Sequence, residues 1–339
     1  MSFKFFPLRF LLSYLFLLGI GGMALTAELW SNDRPLLLFQ GGKLRAPFLF
    51  RVPPSELGQT DTFRADYKRL TLREKDWALW PINRWDPYAS NKEAAYYPAP
   101  PSSMNWLGTD DRGRDLAARI LYGLRNTLGF AVVVWIVSVL LAVSIGVTTG
   151  FLGGWVDFLG QRVVEIIGSV PQLFLLIYLV SLWPSSMALL ITFTSIFAWT
   201  GLSYFVRGEA LRQREMEYVE AAKALGMGTM RTILRHVLPN SVGAVLTTAP
   251  FMILGNITAL TVLDFFGYGL PAPTSSLGEL LQQGEHYFEV AWWLAVFPIG
   301  ALVLTLLSIS LVGEHLRKTD GRALKKVSEF FKRRARSRV

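Results

Sequence analysis

The sequence predicts an all-α polytopic membrane protein with six transmembrane helices and a small mixed α/β subdomain on one external loop. Three observations carry that prediction. Of 339 residues, 52% are hydrophobic, and the mean hydropathy is +0.35. Several apolar runs reach the roughly 18–20 residues that cross a hydrocarbon core. The basic residues gather beside those runs, as a topology signal does, rather than along an aromatic-studded face.

Composition removes several classes of function. The chain has no cysteine, which excludes disulfides, thiol catalysis and cysteine-ligated metal. Its three histidines, His236, His286 and His315, stand far apart and form no paired ligand motif. The net charge is +9, from 34 basic and 25 acidic residues, and much of the excess lies in the tail from Arg317 to Arg338. A basic end beside a span sets topology and contacts anionic lipid.

Taken in order, the first apolar run covers Phe10 to Trp30, preceded by Lys4 and Arg9. It exceeds the 7–15 residues of a signal-peptide core, so it is expected to stay as an anchor with residues 1–9 in the cytoplasm. Residues 31–125 are too charged for a bilayer and form an external subdomain. Leu36–Phe39, a Gly41-Gly42 turn and Leu44–Phe50 predict a β-hairpin. Trp77, Trp80, Trp85 and Tyr88 supply either an aromatic core or a contact surface for a soluble partner. Pro98, Pro100 and Pro101 stiffen the connection that follows.

Asn105 to Asp115 is rich in aspartate but lacks the ligand spacing of a calcium loop. A turn whose Asp side chains satisfy backbone N–H groups, leading into an amphipathic interfacial helix, is expected. Spans two to six are placed at Leu128–Gly150, Val163–Trp183, Met187–Val206, Val242–Phe266 and Val290–Val312, in a domain of residues 126–313. Arg207, Arg212, Arg214, Lys223, Arg231 and Arg235 crowd the loop after span four, whereas residues 267–289 contain no Lys or Arg. Positive-inside then puts that loop, both termini and the 314–339 tail in the cytoplasm. Ionisable groups near membrane depth are functional candidates. Glu165 pairs most simply with Arg162, whereas Asp264, with Thr258 and Thr261 on one helical face, is a candidate lining for a polar path.

Within the basic loop, residues 207–240, Tyr218 to Gly226 forms a charged helical segment that Gly226 can end in the left-handed conformation. Thr229 offers an N-cap for a second short helix, and Pro239 an end to it. The adjacent Ala221 and Ala222 leave room for a partner.

The spacing here is distinctive. Glu220-Ala221-Ala222, three residues, Gly226, nine residues, His236, one residue, then Leu238-Pro239-Asn240 resembles the EAA loop of ABC-importer permeases. Leu107-Gly108-Thr109-Asp110, Gly113-Arg114-Asp115, Tyr122-Gly123 and Arg125 resemble a signature preceding the second span in dipeptide and oligopeptide permeases. Residues 267–281 read as a turn followed by a short amphipathic helix starting near Ser275 or Ser276, and they resemble a third such segment, departing from it at Ala272-Pro273 and Leu277. The first external loop is similar to that of the Yej-type permeases, which import oligopeptides and the peptide-nucleotide antibiotic microcin C.

The resemblance implies a type I ABC importer fold in a bacterial inner membrane. It implies a second homologous permease subunit, cytoplasmic ATPase subunits docked on the EAA loop, and a periplasmic peptide-binding protein. ATP and Mg would sit in the ATPase subunits, because this chain has no phosphate-binding loop of the G-x-x-x-x-G-K-[ST] kind. No clustered acid, base or metal set marks it as an enzyme. An ion-coupled secondary transporter of small peptides or solutes would need an inverted repeat and charged midplane residues, which the sequence does not display.

Overall fold

A computed structural model describes residues 8–50, 52–59, 65–70 and 76–336, with the side chains of 240, 242–244 and 319–336 left outside the description. In chain order the helices are α1 (Leu8–Leu25), α2 (Ala27–Trp30), α3 (Leu116–Leu152), α4 (Gly154–Gly168), α5 (Gln172–Leu182), α6 (Met187–Arg214), α7 (Glu217–Ala224), α8 (Thr229–Thr232), α9 (Leu238–Phe265), α10 (Leu277–His286) and α11 (Trp292–Arg336). Strands β1 (Leu37–Gln40), β2 (Lys43–Arg45) and β3 (Trp77–Leu79) fall between α2 and α3.

Five helices are long and apolar enough to cross a membrane, or six if the pair α4 and α5 counts as one broken span. That pair corrects the sequence reading of a straight span at Val163–Trp183. The two helices meet at 66°, because Pro171 has no N–H to continue the ladder and its ring opposes the preceding turn. α4 also occupies most of what the sequence suggested was a connection, and Gly153 and Gly154, at φ +68° and +54°, make the turn into it. The segment Leu116–Arg125, expected to be a separate interfacial helix, is continuous with α3.

The chain forms two compact units. The first comprises Met1–Phe16, Gly129–Leu260 and Thr305–Val339. Its core joins Ala142, Val147 and Phe151 of α3 to Trp199, Leu202, Val206 and Ala210 of α6, with Val164 of α4. Glycine allows α3 and α6 to approach backbone to backbone. A Cβ at Gly146 would lie 2.8 Å from the Ser203 carbonyl oxygen, and one at Gly150 would lie 2.6 Å from that of Arg207. This is the small-residue packing by which apolar helices associate where water supplies no driving force. Arg207 then clamps α6 to α4, donating from Nε and a terminal nitrogen to both Asp157 oxygens at 2.5 and 2.6 Å. Gly150→Ala is therefore expected to lower stability by about 1–3 kcal/mol through forced separation of the helices. Gly208→Ala, where nothing lies within 4 Å of the added methyl, serves as the neutral control. Thermal unfolding of both variants in detergent checks this.

The second unit comprises Leu17–Leu128 and Thr261–Leu304. It holds the antiparallel sheet, in the order β2-β1-β3. The expected hairpin is present, with Gly41 and Gly42 at φ +60° and +78° closing the two-residue turn that links Gln40 to Lys43. Its second strand stops at Arg45, and the sequence reading missed β3, which pairs Leu37–Phe39 with Trp77–Leu79. The aromatic residues do not form one core. Trp77 and Tyr88 are about half exposed, and Leu38, Leu57 and Tyr67 are the buried centre under the sheet. Trp85 is buried separately, donating from Nε1 to the Met104 carbonyl at 2.8 Å. A larger cluster joins Ala24, Leu116, Ile120 and Leu124 to Leu277, Leu280, Trp293 and Leu294.

Candidate functional site

α7 is eight residues long and is held by its burial pattern rather than by length. Val219 and Ala222, three apart on one face, pack into the core of the first unit, where Val219 joins Val206, Ala210, Phe151 and Val237. The Lys223 ammonium lies 5.0 Å over the Phe151 ring. Glu217 and Glu220 in the first turn and Lys223 in the last complement the helix dipole. The end is a Schellman turn: Met227 N–H donates to the Ala222 carbonyl at 3.0 Å and Gly226 N–H to that of Lys223 at 2.9 Å, with Gly226 at φ +79°. The glycine stops the helix in the conformation the sequence suggested.

Three details differ from the sequence reading. Ala222 is buried in the core, so of the two alanines only Ala221 is on the exposed face. Gly228 takes the N-cap position, and Thr229 is the first residue of α8. Pro239 does not end a helix. It is the second residue of α9, inside a helical run that continues unbroken from α8, and its missing N–H coincides with a local widening of the ladder. Between α8 and α9 the chain passes through a π-helical turn, Ile233–Val237. The His236 ring there lies 6.0 Å from that of Tyr218, whose hydroxyl donates to Gln213 Oε1. Leu238 packs against the same core. Asn240 follows within α9, and its side chain lies outside the described residues.

The result is a rigid elbow with an outward face of mixed character. Glu220 and Ala221 are exposed, and Leu225, Met230 and Leu234 are 88%, 69% and 57% exposed. Apolar side chains displayed by a segment whose other face is anchored form a surface for protein contact.

In the second unit the aspartate-rich turn does what its sequence suggested and more. Gly108 and Gly113 take φ +85° and +74°, and Asp110 Oδ1 accepts from the N–H groups of Arg112 and Arg114 at 3.0 and 2.8 Å. Asp110 Oδ2 accepts from Arg114 Nε at 2.6 Å and lies 3.3 Å from Arg119 Nε. The same two arginines reach Glu279 of α10, Arg114 at 3.2 Å and Arg119 at 2.5 Å. Two carboxylates and two guanidiniums thus alternate in a closed ring. The side chains of Asp110 and Arg119 are fully buried, and that of Arg114 is nearly so. Asp115 opens α3 by accepting from Ala118 N–H at 2.8 Å, and it also accepts from Asn83 and Asn105. Burial pushes its carboxyl above the ordinary range, against the pull of those donors. Burial, with the neighbouring Asp110 charge, raises Asp111 likewise.

Asp264, near the end of α9, has both oxygens engaged. Oδ1 accepts from Leu270 N–H at 2.6 Å, and Oδ2 accepts from the Ser276 hydroxyl at 2.5 Å. Ser276 is in turn the N-cap of α10, accepting from Glu279 N–H at 3.3 Å, so the short helix begins where the sequence placed it. Thr261 is buried, while Thr258 is exposed and donates back to the Leu254 carbonyl at 3.0 Å. Among the described residues no group of three or more His, Asp or Glu side chains is placed to hold a metal ion.

Residues 142–318, just over half of the chain and including the elbow, match the family described as binding-protein-dependent transport system inner membrane component. The chain belongs to this family. The permease is 40% identical over 305 residues to the inner membrane ABC transporter permease protein YejE of Escherichia coli, covering 87% of this chain and 88% of that protein. It is 35% identical over 325 residues to the peptidoglycan transport system permease protein YejE of Agrobacterium fabrum, covering 87% and 84%. Against the oligopeptide transport system permease protein OppC of Bacillus subtilis it is 33% identical over 218 residues, covering 64% and 72%. The permease is thus a transport subunit rather than an enzyme, and the ion-coupled secondary transporter that the sequence left as a rival finds no support. The residue that sequence reasoning missed is Glu279. Its position three after Ser276 reads as half of a capping box, yet its carboxylate leaves the helix end to meet two arginines 160 and 165 residues earlier.

Proposed function

We propose that this permease imports oligopeptides across the inner membrane, powered by ATPase subunits that dock on the elbow at Glu217–Asn240. The exposed Leu225, Met230 and Leu234 beside Glu220, on a segment anchored by Val219, Ala222 and Val237, carry the proposal. The elbow, the basic tail and both termini face the cytoplasm, and the sheet subdomain faces the periplasm. ATP and Mg belong to the ATPase subunits. A second, different permease completes the pore, and a periplasmic binding protein delivers cargo. Closure of the ATPases moves the elbow, and α6 and α9, which flank it in the chain, carry the movement toward an outward-open state. Of the face proposed to line the path, Thr258 is the exposed member, while Asp264 and Thr261 are buried.

The oligopeptide and peptidoglycan transport named for its relatives supports a peptide-bearing cargo. Peptide-nucleotide conjugates such as microcin C are a second cargo within the same reading. Uptake of a labelled oligopeptide by membrane vesicles containing the assembled transporter tests it. Uptake is expected to persist when the proton gradient is collapsed and to stop when ATP is withdrawn. The opposite pattern would overturn the proposal.

A further inference from the structure

The sheet subdomain contains a feature for which neither its core nor the coupling scheme has a use. A cavity of about 560 Å³, within the roughly 300–1,000 Å³ of small-ligand sites, opens between the sheet-flanking segments, with Trp80, Trp85 and Trp106 on its walls. Two cations line the same cavity. The Lys68 ammonium sits 3.2 Å above the centroid of the Trp85 ring, and the Arg84 guanidinium lies 5.1 Å from that of Trp80. Among the described residues neither has a carboxylate within 4.0 Å, although Glu93 stands on the wall as well. Each cation is therefore steadied on an indole face by its π-system while its N–H donors stay unspent. Trp85 is itself buried and fixed through its bond to Met104, so the platform under Lys68 is rigid. Trp106, by contrast, is about half exposed and offers its ring to whatever enters.

We propose that this cavity is a binding site for a short peptide with free ends. Its C-terminal carboxylate lies between Lys68 and Arg84, its α-ammonium toward Glu93, and an apolar side chain against Trp106. Preorganised donors on ring faces lose little entropy on binding, and they hold the carboxylate against the charges of Asp33, Asp66 and Asp86, which also act on Lys68. This rests on the peptide reading above and adds to it a site on the subdomain itself.

Binding of trialanine to the full-length permease in detergent, followed by titration calorimetry, tests the site. Trialanine is expected to bind saturably, and its C-terminal amide at least roughly tenfold more weakly, since one charge-assisted pair is lost. Lys68→Met and Arg84→Met are each expected to weaken trialanine by a similar factor, and Trp106→Ala to weaken it without altering the acid-to-amide ratio. Lys68 and Arg84 are both exposed enough for the variants to fold, which an unchanged thermal transition confirms. Equal affinity for acid and amide, wild-type affinity in both cation variants, or no saturable binding overturns the proposal. If transport of labelled oligopeptide by the assembled system survives those results, the site fails and the peptide importer stands. If no peptide is transported while trialanine binds as described, the site stands and the importer reading fails.

Discussion

Gly226→Val is expected to abolish peptide uptake while leaving membrane insertion and pairing with the second permease unchanged. Gly226 has φ +79°, a conformation that costs an L-residue about 1–2 kcal/mol and a β-branched one more. A Cβ there meets nothing within 4 Å, so the penalty comes from the backbone rather than from crowding. Relief requires opening the Schellman turn, which frees the carbonyls of Ala222 and Lys223 and displaces Leu225 on the outward face. Gly226→Asn separates this from any general intolerance, because asparagine enters the left-handed region with little strain and should keep most of the uptake. Glu220→Lys reaches the same phenotype by a different route. The residue is exposed, so the fold loses only its small helix-dipole contribution, and the docked ATPase feels the reversed charge in full. Uptake assays beside quantified membrane insertion check all three. Wild-type transport by Gly226→Val and Glu220→Lys would mean that the elbow transmits nothing.

The second large effect concerns the charge ring. Arg119→Met is expected to cost about 3–5 kcal/mol, because it leaves Glu279 short of a partner and Asp110 beside a single arginine in a site that excludes water. Glu279→Gln should cost less, about 1–3 kcal/mol, because Asp110 still pairs with both guanidiniums and the amide oxygen keeps an acceptor. Paired in one molecule, the two substitutions remove opposite charges together, and their combined cost should fall short of the sum by about 1–3 kcal/mol. Denaturant unfolding of the two single variants and the double variant measures it. Strict additivity would show that the ring geometry is incidental. Uptake in these variants should fall only as far as folded protein falls, since the ring holds α10 against the start of α3 and touches no part of the elbow.

The elements legible in the sequence are those written by local rules. Gly226 after an alanine-rich helix, the Gly41-Gly42 hairpin turn and Ser276 ahead of α10 each depend on a few neighbouring residues, and each is where the pattern put it. Apolar runs located the spans, but the second was begun twelve residues after the start of α3, and the third nine residues into α4 and as one straight helix. There a hydropathy window cannot register direction, so it ran straight through the 66° break at Pro171. Pro239 was misread for a related reason, since a π turn just before a proline lets the helix continue through it, and nothing in the local pattern announces that turn. The charge ring was illegible because its members lie 165 residues apart and pair by topology. β3 was lost as well, as three residues between a charged run and Trp80-Pro81 carry too little period to stand out.

The central claim, that the elbow joins a nucleotide-driven subunit to this pore half, is tested most directly by a single reporter cysteine. The chain has none of its own, so Leu225→Cys, at the most exposed apolar position of the elbow, reports without background. In membranes holding the assembled transporter, a short bifunctional crosslinker is expected to join position 225 to an ATPase subunit, with a yield that changes on adding ATP. Labelling of that cysteine by a membrane-impermeant maleimide applied from the periplasmic side, with no ATPase captured, would contradict it.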